Sequence, residues 1–143
     1  MPQDNATPNA SPAEPLDLES AIRHRILTRD RRYTIYAYEF VFEALAYTQQ
    51  KLGKRTEASR EEERHVTGQE LLEGIRELAQ ERFGPLAPQV FRSWGVYCTE
   101  DFGEVVFNLV EANLLRKTAK DSRADFAGGY SFDEAFGGPL QFK

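Results

Sequence analysis

Three groups of side chains in this 143-residue chain have types and spacings that could do chemistry. The first is Cys98, which stands where a helix is expected to begin. A thiolate is stabilised at a helix N-terminus by the unpaired N–H groups and the dipole. Nucleophilic use also needs a base, and the two histidines, His24 and His65, lie far away in sequence. Glu100 and Asp101, two and three residues on, would raise the thiol pKa. The expectation is therefore a small buried cysteine, with a Cys98 nucleophile as the enzymatic alternative. The second group is Arg23, Arg25, Arg29, Arg31 and Arg32. A guanidinium donates two parallel hydrogen bonds to phosphate, and the neighbouring Tyr33 and Tyr36 could stack on bases. Against that stands a solvated helix face whose arginines pair with acids of the same domain. The third group is aromatic: Tyr36, Phe40 and Tyr47 in one segment, Tyr130, Phe132 and Phe136 in another. Apolar surface beyond what one helix or one tail can bury marks these six as candidate partner-binding residues.

No catalytic, cofactor-binding or metal-binding residue is assigned. One cysteine permits no internal disulfide, and two histidines without clustered cysteines give no metal-ligand spacing. Glu61-Glu62-Glu63 is a run and not a cage. The glycine pairs at 128–129 and 137–138 lack the strand–loop–helix context of a phosphate-cradling loop.

The elements that must position these groups are helices. Hydrophobic types make up 41% and charged types 29%, with a net charge of −5, which fits one soluble globular domain. No stretch approaches the roughly 18 uninterrupted apolar residues of a membrane span. Residues 1–15 are rich in proline and free of aromatic residues, and read as a disordered leader without the features of a secretion signal. Residues 16–126 form the helical domain. Asp17 is placed to cap a helix carrying Leu18, Ile22 and Ile26, and Asp30 could start the next. A second helix, about Thr34 to Leu52, has its main stripe at Ile35, Tyr38, Phe42, Leu45 and Leu52. Ala37, Val41 and Ala44 form a narrow ridge beside that stripe, and Gly53 stops the helix. Residues 54–65 hold eight charges and read as a solvated loop.

The third helix carries the strongest start signal, a capping box of Thr67 and Glu70 with Val66 stapling to Leu71. Gly84-Pro85 ends it, and a short helix from Leu86 to Ser93 follows. Leu86, Val90 and Phe91 sit at core spacing there, and Trp94 stands at the exit. Thr99 is expected to cap the fifth helix, whose buried stripe is Phe102, Val105, Val106, Leu109 and Val110, with Asn113 left-handed at its end. Residues 127–143 form an aromatic-acidic tail that docks on the domain or on a partner, with Ser131 and Glu134 matching a second capping box.

The fold class expected is mainly α: a single compact domain of about five helices plus the aromatic C-terminal tail. Residues 67–136 can also be read as a winged helix, with Leu114 to Lys120 and Gly129 to Phe132 as the strands of a small β-wing. Reading of DNA through the fifth helix does not follow, because Glu100, Asp101, Glu104 and Glu111 would be repelled by phosphate. The charge is unevenly spread. Residues 16–55 hold eight Lys/Arg against five Asp/Glu, and residues 56–115 hold five against twelve. Such a dipolar distribution can steer binding.

Several segments together resemble a known family: YTIYAYEFVFEAL, HVTGQELLEGIRELAQERFGP, FRSWGV, EDFGEVVFNLVEANLL and DSRADFAGGYSFDEAF. The chain is similar over residues 17–136 to a short, uncharacterised family of conserved hypothetical proteins described as restricted to planctomycetes and verrucomicrobia. The resemblance implies a bacterial, cytoplasmic protein and brings no activity, cofactor or site residue. The functional expectation is a non-catalytic protein–protein interaction or regulatory protein, able to bind a protein partner or a second copy of itself, without membrane attachment. The alternatives are binding of nucleic acid or the ribosome through the Arg23–Arg32 cluster, and an enzyme built on Cys98.

Overall fold

Asp17 caps the first helix as its residue type predicts, its carboxylate accepting from the Ser20 N–H at 2.8 Å. The computed structural model of the chain describes residues 17–53, 65–116 and 123–137. The expected leader, the charged loop up to residue 64 and the last six residues of the tail lie outside the described residues. α1 (Leu18–Ile22) widens into one π-helical turn over Arg23–Leu27. Ile22 and Ile26 remain buried, while Arg23, Arg25 and Arg29 face outward. The next helix, α2 (Ile35–Lys51), starts from Thr34 and not from Asp30, which is drawn into a network described below.

Burial on α2 covers the ridge and the first part of the expected stripe, Ile35 and Tyr38, but not the stripe's later residues. Ala37, Tyr38, Phe40, Val41, Ala44 and Thr48 are buried, whereas Phe42 and Leu45 are half-buried and Leu52 is exposed. The reason is α3 (Gly68–Phe83), which lies antiparallel against the small side chains. A Cβ at Gly74 would stand 1.7 Å from the Thr48 hydroxyl oxygen, so the two helices meet where neither carries bulk. The Thr48 hydroxyl donates to the Ala44 carbonyl at 2.7 Å and is satisfied inside its own helix. Tyr47 and Lys51 both bond Glu77, and Arg82 pairs with Glu43, along the edge of the same contact.

α3 carries its capping box in full: the Thr67 hydroxyl accepts from the Glu70 N–H, and Glu70 accepts from the Thr67 N–H, each at 3.0 Å. Gly84, at φ +54°, ends the helix, and a single 3₁₀ turn over Gly84–Leu86 leads into α4 (Ala87–Ser93). Gly95 adopts φ +93°, and a Cβ there would lie 2.2 Å from the Arg32 carbonyl oxygen. That contact, with the Thr34 N–H donating to the Trp94 carbonyl at 3.1 Å, sets the α4–α5 connection against the α1–α2 connection. α5 spans Thr99–Glu111, with Cys98 and not Thr99 as the residue before its first turn. Asn113 takes the left-handed conformation at φ 63°.

The helical reading holds, and the winged-helix reading does not. Among the described residues there is no strand. The N–H groups of Leu114 and Leu115 both turn back to the Leu109 carbonyl, at 2.8 and 3.2 Å, closing the end of α5. The Gly129 N–H donates to the Thr99 hydroxyl, and Phe132–Ala135 form the one-turn helix α6. Backbone groups committed in this way have nothing left for a ladder. The remainder of the first wing strand, 117–120, lies outside the described residues.

Everything converges on Phe91 of α4, which is fully buried. Its ring meets Phe40 of α2, Trp94, Phe102 of α5, and Phe132 and Phe136 of the tail, at centroid distances of 5.1–6.0 Å.

The close α2–α3 contact gives a direct expectation. Gly74→Ala should destabilise the fold by about 1–3 kcal/mol through overpacking against Thr48. In a Thr48→Ala background the same substitution should cost less, and a urea-unfolding double-mutant cycle measures the difference.

Candidate interaction surface

The five arginines do not gather into one phosphate site. Arg23 makes a fork on Glu19, one turn earlier, at 2.8 and 3.1 Å. Arg25 donates to the Ala112 carbonyl at the end of α5, at 3.0 Å. Arg29 rests on the Arg25 carbonyl at 2.8 and 3.1 Å, and Arg31 on the Leu27 carbonyl at 3.3 Å. Arg32 reaches both Asp30, at 2.8 Å, and Glu104 of α5, at 3.2 Å, with its guanidinium 5.1 Å from the Tyr33 ring centroid. No two of the five share a partner, and two of them end on carboxylates.

Asp30 is the hub that joins the α1–α2 connection to α5. It accepts from the Arg32 N–H at 3.0 Å, from the Arg32 guanidinium, and from the Asn108 amide at 3.0 Å. The Asn108 amide also donates to the Tyr38 hydroxyl at 3.1 Å. One turn away, the Tyr33 hydroxyl donates to Asp101 at 2.6 Å, and the other Asp101 oxygen accepts from the Tyr97 N–H at 2.8 Å. Asp101 and Glu104, whose charge argues against DNA reading, form with Asn108 the side of α5 that holds the arginine and the tyrosines. The Arg32 guanidinium keeps the Asp30 carboxyl well below the ordinary carboxylate range. Burial, then the bond to Asp101, pushes the Tyr33 phenol up.

Of the six aromatic candidates, three cannot form a contact surface. Phe40 is 4% exposed and Phe136 1%, and Phe132 is equally part of the core. Each is consumed by packing around Phe91, because rings dense enough to suggest a partner also suffice to build a core. Tyr47 is half-buried, with its hydroxyl on Glu77 at 3.1 Å. Tyr130 is half-buried, donates to the Leu72 carbonyl at 2.7 Å, and has its phenol pushed up by burial. Tyr36 alone stands out, 60% exposed.

Besides Tyr36 and Leu52, two more large apolar side chains are exposed among the described residues, Leu86 at 58% and Tyr97 at 64%. The signal for Tyr97 was present: in the extended Val96-Tyr97-Cys98, alternation sends Tyr97 outward once Val96 is buried. Leu86 sits in the 3₁₀ turn before α4, so the helical spacing that placed it in the core does not apply. Phe40, Phe83 and Trp94 form a triangle of rings 5.4–6.0 Å apart. Tyr36 precedes Phe40 by one helical turn in α2, and Leu86 follows Phe83 by three residues in the chain.

Cys98 is exposed, not buried as expected. Its Sγ is 3.6 Å from an Asp101 oxygen. Desolvation first, then the Glu100 and Asp101 carboxylates, hold the thiol above its ordinary value, which is the wrong direction for a nucleophile. Among the described residues no group of three or more His, Cys, Asp or Glu is placed to hold a metal ion. No helix among them is long and apolar enough to cross a membrane.

Asp30→Asn should cost about 1–2 kcal/mol by removing the charged partner of Arg32 and Asn108. Because the folded-state pKa of Asp30 is depressed, its contribution is complete above the ordinary value near 3.8 and is lost as pH falls below it. The stability gap between the wild type and Asp30→Asn should therefore narrow below that pH, as measured by thermal unfolding across an acid series.

No family model, no curated protein and no solved structure matches the chain, so its fold and surface chemistry carry the functional reading.

Proposed function

We propose that this chain is a non-catalytic, cytoplasmic interaction protein whose contact surface is the edge bearing Tyr36 and Leu86. The observation that carries this reading is the exposure of these two large side chains, at 60% and 58%, in the segments whose Phe40 and Phe83 rings pack together. A single exposed apolar residue is ordinary on any protein. Two large ones in segments joined by the Phe40–Phe83 ring contact offer apolar area whose burial contributes about 25 cal/mol per Å². The resemblance to the planctomycete and verrucomicrobial family belongs to the same proposal and supplies its bacterial setting. The Cys98 thiol supports the non-catalytic reading, since its surroundings disfavour the reactive form.

A second reading is favoured by one observation. Arg25, Arg29 and Arg31 rest on main-chain carbonyls and not on carboxylates, so their positive charge is not neutralised. That charge suits nucleic acid or the ribosome, and it would make binding fall steeply with salt.

The two readings separate in one experiment. The full chain, Tyr36→Ser/Leu86→Ser and Arg29→Gln/Arg31→Gln are used as baits in native extract at low and moderate salt. Both variants should keep the wild-type unfolding free energy within about 0.5 kcal/mol, because they change exposed positions. The apolar pair should lose its specific partner by at least about tenfold, equivalent to about 1.4 kcal/mol. Equal capture by that pair and the wild type contradicts the proposal, and loss confined to the arginine pair, with steep salt dependence, establishes the second reading.

A further inference from the structure

We draw no further inference here: the strongest candidate, the exposed Tyr97–Cys98 pair in the connection from α4 to α5, offers a ring and a lone thiol with nothing in the structure to show what covers them.

Discussion

The fold depends on the insertion of one ring. Phe91 belongs to a helix of seven residues, too short to be stable alone. What fixes that helix is the set of aromatic neighbours reaching Phe91 from α2, from α5 and from segment 123–137. The rings meet at tilted and edge-on angles, the geometry that aromatic quadrupoles prefer. Removing any one element would leave part of Phe91 facing water, so the helices and this segment must form together. This constraint also decides what remains for function: the rings packed around Phe91 are unavailable to a partner.

A second, polar constraint acts on the opposite side of α5. The α1–α2 connection is short and carries arginine, aspartate and tyrosine in close succession. It is held by Asp30 to Asn108, by Arg32 to Glu104 and by Tyr33 to Asp101. Partly buried charged groups are stable only when paired, and here each has its counterpart on α5. The acidic character of α5, which argues against DNA reading, has this structural use. Arg32 is thereby neutralised against the acidic middle of the chain, whereas Arg25, Arg29 and Arg31 rest on main-chain carbonyls.

Much of this was legible where the signal is local. The Asp17 cap, the Thr67–Glu70 box, the Ser131 cap and the stops at Gly53, Gly84 and Asn113 depend on residues three or four apart, and each stands where the sequence put it. Features set by distant partners were not legible. Ala44 and Thr48 outrank Phe42 and Leu45 only because Gly74 of another helix approaches there. Thr99 has the residue type of a cap, yet its hydroxyl is taken by the Phe126 carbonyl 27 residues away. Cys98 has the composition of a core residue, but Asp101 draws the adjacent backbone N–H and leaves the thiol at the surface. Of the aromatic candidates, Tyr36 is exposed, whereas Phe40, Phe132 and Phe136 are buried in the core. Density of aromatic residues measures how much apolar area exists and not which side of it meets water.

The aromatic segment 123–137 is part of the core and not a free arm, so that it and the helices open as one cooperative unit. Native-state amide hydrogen exchange on the full chain tests this most directly. The Gly129 and Phe136 amides, bonded to Thr99 and Phe132, should show protection equal to that of Val41 and Ala44 in α2. Amides of the segment that exchange orders of magnitude faster, while α2 and α3 stay protected, would contradict this cooperativity.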